Sequence, residues 1–286
     1  MSVHATPTRP LVIITRPRMQ AQTLANDLKE QGFHSLIFPL LEIKNVQDAG
    51  PLDQALIDIA QFSLVIFVSP NAITAALNAY QRLHQTTQTI AWPSSVAIAV
   101  LGPGSLNTLA SYGIHADQVR IISPHREHAN TAAQFDSEAL LSALQLSGFG
   151  PHQLSGQRIL LVRGNGGRAL LIESLQTAGA HLHIIEAYQR IAPKPDDALC
   201  KLLENALTQP HCWLLTSAEA VRNLHAIRQS HAHLLISPLG TALVSHPRIA
   251  AAAYQAGFTS CIDIGMGHHN LLNALHAFPL LRSTSI

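Results

Sequence analysis

Charged residues and cysteines are both scarce in this 286-residue sequence, and each shortage excludes a class of protein. Charged residues make up 12% of the chain and the net charge is +1. A protein built mainly to bind nucleic acid needs a strongly basic face, so we expect no nucleic acid partner. The three cysteines are odd in number and form no C-x-x-C pair. A reducing cytoplasm is therefore the expected compartment.

Long apolar runs and metal-ligand spacings are absent as well. No run approaches the roughly 18 apolar residues of a membrane-spanning helix, and the first ten residues lack the apolar core of a signal peptide. The 17 histidines are scattered, without an H-E-x-x-H motif or similar ligand spacing. We therefore expect no membrane association, no metal and no cofactor. Hydrophobic residues, at 47%, suffice for the cores of two ordinary domains.

The chain contains one pattern twice. Residues 11–43 and 159–191 each hold an apolar strand that ends in an arginine, Arg16 or Arg163, then an amphipathic helix that stops at a glycine, then a second strand. A later pair of apolar strands, SLVIFV and CWLL, is followed in each copy by a serine and a helix, at nearly the same offset. Strands that alternate with helices predict parallel sheets flanked by helices, so the sequence indicates a duplicated α/β fold.

Polar turns follow the predicted strands, where ligands of open parallel sheets usually bind. Each turn combines hydroxyl, Gly, Asn or Arg residues with the start of a helix. They comprise residues 15–17, 69–71, 102–105, 163–165, 216–217 and 245–247. One interpretation is ordinary capping of the helices. The other is a set of anion sites made by free N–H groups and helix dipoles.

The glycine-rich stretch RGNGGR, residues 163–168, allows two hypotheses. Gly164-x-Gly166-x-x-Ala169 fits a loose dinucleotide-binding fingerprint, with Glu186 near the position of a ribose-binding acid. However, the equivalent turn in the first copy has no glycine yet keeps its arginine, and Glu186 lies within an extended run. We therefore favour a turn that binds carboxylates.

Several motifs of this sequence, in their order and spacing, resemble uroporphyrinogen-III synthases of the bacterial type over about residues 11–276. They are TRP at 15–17, PLLEI at 39–43, FVSPNAI at 67–73, LVRGNGGR at 161–168, AYQR at 187–190 and LTSAEAV at 215–221. The resemblance implies cyclisation of hydroxymethylbilane, a linear tetrapyrrole with eight carboxylates, to uroporphyrinogen III. Water is lost, ring D is inverted through a spiro intermediate, and the pathway leads to haem. Without an enzyme the bilane closes to the symmetric type I isomer.

The resemblance also implies roles for individual residues. Tyr188 corresponds to a tyrosine near the departing hydroxyl, where a phenol can donate a proton or orient the group. The alternative is a strand tyrosine whose ring is simply buried. Candidate substrate-binding residues are Arg16, Ser69, Arg163, Gly164, Asn165, Arg168, Thr216, Ser217 and Ser245. At Ser245 the stretch SHPRIA departs from the family's usual turn.

The family's architecture differs from the division that the duplication alone suggests. It implies two flavodoxin-like domains joined by a two-stranded linker. Residues 1–38 with 192–286 would form one domain, residues 44–185 the other, and residues 39–43 and 186–191 the linker strands. Such a hinge predicts mobile domains that close on substrate. The family also implies a monomer and leaves room for transient contact with the preceding enzyme of the pathway.

Two alternatives to an active synthase stay open. Two similar lobes also describe a small-molecule or tetrapyrrole-binding protein without turnover, and a degenerate synthase would keep the fold without the reaction. The second copy lacks the insertion near residues 124–136, whose role the sequence does not indicate.

Overall fold

The structure is a computed structural model that describes residues 9–86, 90–124, 137–166, 169–235, 237–265 and 267–277. The chain divides into two compact units. Unit 1 comprises Met1–Glu42 and Ile191–Ile286, and unit 2 comprises Ile43–Arg190. The insertion predicted near residues 124–136 lies outside the described residues except for Pro124.

The described elements alternate along most of the chain between strands and helices. In the first half they are β1 (Leu11–Ile14), α1 (Arg18–Glu30), β2 (Ser35–Ile37), β3 (Glu42–Asn45), α2 (Gly50–Ile57), a 3-10 turn (Ile59–Gln61), β4 (Leu64–Phe67), α3 (Pro70–Leu83), β5 (Ala97–Val100), α4 (Pro103–Ser111), β6 (Ile121–Ile122) and α5 (Ser137–Leu146). In the second half they are α6 (Pro151–Leu154), β7 (Arg158–Gly164), α7 (Leu170–Thr177), β8 (His181–Ile191), α8 (Asp197–Leu207), β9 (His211–Leu215), α9 (Ala218–Ser230), α10 (Ala232–Leu235), β10 (Thr241–Val244), α11 (Pro247–Gln255), β11 (Ser260–Asp263) and α12 (His268–Ala277).

The sheet of unit 1 has the strand order β2-β1-β9-β10-β11, and its neighbouring strands pair in parallel. This is the order of flavodoxin-like folds, in which the chain builds outward from the first strand in one direction and then in the other. Val12 of β1 lies opposite Cys212 of β9. The first strand of the chain therefore shares a sheet with strands from its last third.

The sheet of unit 2 has the order β8-β7-β4-β5-β6, with β3 at the outer side of β8. The pairs from β8 through β6 are parallel. Under the sequence repeat, β7 and β8 correspond to β1 and β2, and β4 to β6 correspond to β9 to β11. The two units therefore share one topology, although their strands appear in a different chain order. The fold class predicted from the sequence, two parallel α/β units of flavodoxin-like type, is confirmed.

Apolar strands buried on both faces hold each unit together, as expected for parallel sheets covered by helices. All four residues of β4 and of β5 are buried, and so are Val12 to Ile14 of β1. In unit 1 the largest fully buried side chain is Trp213, which makes edge-on contacts with Phe38 and Phe258. Each such aromatic contact contributes about 0.5–1.5 kcal/mol beyond the burial of its area.

The glycines that end the repeated helices adopt the left-handed conformation that the sequence pattern requires. Gly32 follows α1 with φ of 76°, and Gly179 follows α7 with φ of 79°. A side chain with a Cβ is disfavoured there, which explains glycine at the same point of both copies.

The two segments predicted as linker strands lie at the boundary between the units as divided above. Residues 39–41 lead into β3, which begins at Glu42 and pairs in the sheet of unit 2. Residues 186–191 are the second half of β8, which is hydrogen-bonded to β7 as far as Tyr188. Among the described residues, the helices are all too short or too polar to cross a membrane.

Candidate active site

Each sheet has a switch point, where the chain connections leave toward opposite edges, and predicted polar turns flank it in both units. In unit 1 the switch point lies between β1 and β9, which are followed by Thr15-Arg16 and by Thr216-Ser217. In unit 2 it lies between β4, which is followed by Val68 and Ser69, and β7, which ends at Gly164 and is followed by Asn165. Open parallel sheets bind their ligands outside the carboxyl ends of the strands at such points.

In unit 2, the hydroxyl of Ser69 contacts both a helix terminus and the phenol of Tyr188. Ser69 Oγ accepts a hydrogen bond of 3.1 Å from the N–H of Ala72 and so caps α3. The same oxygen lies 3.0 Å from Tyr188 Oη, and either hydroxyl can donate. Tyr188 belongs to β8, whereas Ser69 follows β4, so the phenol extends past β7 to reach the switch point.

Gly164 of β7 provides the space that the tyrosine ring occupies. A Cβ at this position would lie 2.6 Å from both Cε2 and Cζ of Tyr188, and 3.0 Å from its Oη. Contacts between carbon atoms are normally about 3.5–4.0 Å, so no larger residue fits without moving the ring. Gly164 therefore serves the site by the absence of a side chain.

A bulge in β8 sets the direction of Tyr188. Arg163 pairs with Glu186, but the next residue of β7, Gly164, pairs with Tyr188, so Ala187 is an extra residue in β8. Strand residues normally alternate between faces. Here Ala187 and Tyr188 are consecutive and both buried in one core cluster, with 3% and 4% of their surface exposed.

Asn165, predicted as a substrate-binding residue, is tied by its side chain to β8. Its Oδ1 accepts a hydrogen bond of 2.6 Å from the backbone N–H of Arg190, and its Nδ2 donates one of 3.2 Å to the carbonyl of Arg190. The guanidinium of Arg190 donates a bond of 2.6 Å to the carbonyl of Asn165. The backbone N–H of Asn165 also donates to the carbonyl of Tyr188, at 3.2 Å.

The predicted arginines differ in their surroundings. Arg163 is half-buried, and its Nε donates a hydrogen bond of 3.2 Å to the carbonyl of Gly164. Arg16 is also half-buried, and burial lowers the pKa of its guanidinium. The Arg16 guanidinium forms no hydrogen bond or ion pair with another described residue. Arg168 lies outside the described residues.

In unit 1, hydroxyl groups fasten the carboxyl ends of β1 and β9. The Oγ1 of Thr15, a residue only 1% exposed, donates a hydrogen bond of 2.6 Å to the carbonyl of Leu214. Ser217 accepts from the N–H of Ala220 at 3.4 Å and caps α9, next to the half-buried Thr216. The capping hypothesis thus applies to Ser217 as it does to Ser69. A capping oxygen keeps a second lone pair and its own proton for other contacts.

The turn after β10 contains a residue that the sequence analysis missed. Ser245 is half-buried and precedes the cap, whereas His246 occupies the N-cap position of α11. His246 Nδ1 accepts a hydrogen bond of 3.0 Å from the N–H of Arg248. The SHPRIA stretch departs from the usual serine or threonine cap, and a histidine directly before Pro247 was the signal for this substitution.

Fold and site together define a class of protein: a duplicated parallel α/β protein whose two switch points carry polar, anion-compatible turns. At one of them, the phenol of a neighbouring strand reaches the turn. The model of the family "Uroporphyrinogen-III synthase HemD" matches residues 22–263. The chain belongs to the uroporphyrinogen-III synthase family. The resemblance noted in the sequence is therefore confirmed.

Individual relatives agree with this assignment. The chain is 32% identical over 257 residues to a uroporphyrinogen-III synthase of Synechococcus elongatus. The matched region covers 87% of this chain and 84% of that protein. A Salmonella typhimurium uroporphyrinogen-III synthase is 30% identical over 190 residues, covering 65% and 68%.

Solved structures agree at the level of the fold. A mutant uroporphyrinogen III synthase from Thermus thermophilus gives a TM-score of 0.55 at 16% identity, over 94% of this chain and 98% of that one. The corresponding Helicobacter pylori protein also gives 0.55, at 14% identity over 95% and 100%. These likenesses show a shared two-domain α/β fold.

In the described part of the chain, no three His, Cys, Asp or Glu side chains lie together in a group that could hold a metal ion.

Proposed function

We propose that this protein cyclises hydroxymethylbilane to uroporphyrinogen III, with loss of water and inversion of ring D. Family membership supports the reaction class. The observation that carries the proposal in this chain is the 3.0 Å contact between Tyr188 Oη and Ser69 Oγ at the switch point of unit 2. It joins the candidate proton donor to a hydroxyl at a helix N-terminus.

In the proposed mechanism, Tyr188 donates its phenolic proton to the departing hydroxyl of the substrate's hydroxymethyl group. Water leaves, and ring A becomes an azafulvene-like electrophile. Ring D then attacks this electrophile through its own substituted carbon. The spiro intermediate then resolves with ring D inverted. The phenolate regains a proton from the macrocycle as aromaticity is restored, so that the net change is the loss of one water.

The surroundings of Tyr188 favour this role. When Ser69 donates to Tyr188 Oη, it leaves the phenolic proton free for the substrate and stabilises the phenolate that forms. Ser69 is itself bonded to the first turn of α3, a helix of 14 residues whose N-terminus favours nearby negative charge by about 0.3–1 kcal/mol. A buried ring also removes competing water from the donor.

The eight carboxylates of the substrate require several anion sites, and the polar turns of each unit supply them. Arg16 is the strongest candidate, because a half-buried guanidinium without a carboxylate among the described residues is stabilised when an acid arrives. Arg163, Thr216, Ser217 and Ser245 are further candidates. Hydroxyls and backbone amides bind carboxylates without a large excess of basic residues, which this chain, with a net charge of +1, does not have.

We further propose a cytoplasmic, monomeric enzyme that needs no metal or cofactor and binds neither nucleic acid nor membrane. Transient contact with the preceding enzyme is part of this proposal, because the bilane closes spontaneously once released.

Isomer analysis tests the proposed function. Hydroxymethylbilane is generated in situ, the protein is added, and the oxidised products are separated into uroporphyrin I and III. The expected product is predominantly type III, whereas type I alone, as without protein, would refute the proposal.

Replacing Tyr188 with Phe tests the role of the phenol. We expect Tyr188→Phe to lower kcat by about 10²-fold, the lower end for general acid catalysis, since the bilane already loses water unaided. The residual product above background should still be type III. Tyr112→Phe is the matched control, because the Tyr112 phenol lies in the same unit and donates to Asn78 at 2.6 Å. A Tyr188→Phe variant as fast as the control would remove the phenol from the mechanism.

A further inference from the structure

We infer that Asn165 is a positioning residue for Tyr188: its side chain fastens the bulge of β8 that aims the phenol at Ser69. This inference rests on the proposed function and assigns Asn165 a role different from substrate binding.

Asn165 occupies both backbone groups of one residue with one side chain. Its Oδ1 accepts from the N–H of Arg190 at 2.6 Å, and its Nδ2 donates to the carbonyl of Arg190 at 3.2 Å. If the parallel ladder continued, backbone groups of a longer β7 would supply these two partners. The amide group of Asn165 therefore takes the place of a strand where β7 has already ended at Gly164.

These bonds fix β8 directly after the bulge. The extra residue Ala187 directly precedes Tyr188. The side chain of Asn165 bonds to the backbone of Arg190, two residues after Tyr188. The N–H of Asn165 also donates to the carbonyl of Tyr188 itself. The bulge thus lies between the paired residues Arg163 and Glu186 on one side and the Asn165 contacts on the other.

A bulge held from both sides is needed for the direction of the tyrosine. In regular alternation, the residue after a buried Ala187 would point to the opposite face of the sheet. With the bulge, Tyr188 joins the same core cluster as Ala187 and extends across Gly164 to Ser69. Loss of the Asn165 bonds allows β8 to slip toward regular pairing, which moves Tyr188 Oη away from Ser69.

The inference also explains the Asn in RGNGGR. Both ends of its amide are bonded within unit 2, one to the N–H and the other to the carbonyl of Arg190. Aspartate cannot replace it, because a carboxylate does not donate to the carbonyl of Arg190.

Asn165→Ala tests the inference with two measurements. In steady-state kinetics we expect kcat to fall by about tenfold to a hundredfold, since a misplacement of about 1 Å can cost about 10²-fold, while KM stays close to wild type. In protein labelled with 3-fluorotyrosine, the fluorine resonance of Tyr188, assigned by its absence in Tyr188→Phe, should shift or broaden without substrate. Asn107→Ala, a change at an exposed residue of α4, is the control and should alter neither measurement.

The outcomes separate this inference from the proposed function. An unchanged Tyr188 resonance together with a raised KM would make Asn165 a substrate ligand and overturn the inference, leaving the proposed reaction intact. A fully active Tyr188→Phe would overturn the role of the phenol, while the resonance in Asn165→Ala would still decide whether Asn165 positions the ring. A resonance and kinetics both unchanged in Asn165→Ala would overturn the inference alone.

Discussion

Gly164→Ala is the sharpest perturbation of the site, because one methyl group would enter the space of the Tyr188 ring. The added Cβ would lie 2.6 Å from two ring carbons. Reaching an ordinary separation of about 3.5 Å requires a displacement of about 1 Å. Since Ser69 Oγ and Tyr188 Oη are already 3.0 Å apart, a shift of that size breaks their hydrogen bond.

The expected cost combines two opposing contributions. Overpacking a core with one extra methyl group costs about 1–3 kcal/mol. Replacing a strand glycine whose φ is not in the left-handed region recovers about 0.5–1 kcal/mol of backbone entropy. We therefore expect unit 2 to lose about 1–2 kcal/mol of unfolding free energy. Activity should fall by about 10²-fold because of the displaced phenol.

Equilibrium unfolding in urea measures the loss, with tryptophan fluorescence as the signal. Trp92 lies in the same core cluster as Tyr188, whereas Trp213 lies in unit 1. A Trp213→Phe background therefore restricts the signal to unit 2.

A double-mutant cycle with Tyr188→Leu decides the cause. Leucine has no ring to clash with the new methyl group, so Gly164→Ala should cost little in that background, and the two changes should be strongly non-additive. If Gly164→Ala lowered the unfolding free energy equally with and without the Tyr188 ring, a clash with the ring would be refuted. The loss would then come from the backbone of β7.

Three further perturbations probe unit 1. Arg16→Gln should raise KM by about tenfold or more without loss of stability, since it removes a charge-assisted bond to substrate but no ion pair with a described residue. A lower Tm at unchanged KM would contradict this. Thr15→Val should lower the unfolding free energy by about 1–3 kcal/mol in urea, because the buried carbonyl of Leu214 loses its 2.6 Å donor; an unchanged midpoint would oppose it. Burial raises the pKa of Cys212 from 9.0 to about 12, so stability present below pH 9 should be lost as the pH rises toward 12. Cys212→Ala should remove that part of the decline, and an identical pH profile in the variant would disprove it.

The sequence identified the repeated unit because apolar periodicity and glycine positions are local properties. A strand buried on both faces is apolar throughout, as in LVIFV, and a helix that ends in a left-handed turn favours glycine, as at Gly32 and Gly179. The polar turns were predictable for the same reason: they follow recognisable strands. The role of His246 was less accessible, because histidine is an unusual N-cap.

The strand order could not be derived from the sequence pattern. Duplication alone suggests two consecutive halves, yet β1 and β2 join the sheet of β9 to β11, while β7 and β8 join β4. Both arrangements bury equivalent apolar strands with equal periodicity. Pairing between distant segments depends on register and complementary packing, which no local pattern encodes.

What the sequence determined by itself was the composition of the site: a phenol, a hydroxyl, arginines and glycines placed after strands. What only the tertiary structure decided was their arrangement. A single extra residue in β8 turns Tyr188 toward Ser69, Gly164 leaves room for the ring, and Asn165 bonds to Arg190. Because side chains alternate with a period of two along a strand, one residue of register decides which face of the sheet Tyr188 occupies.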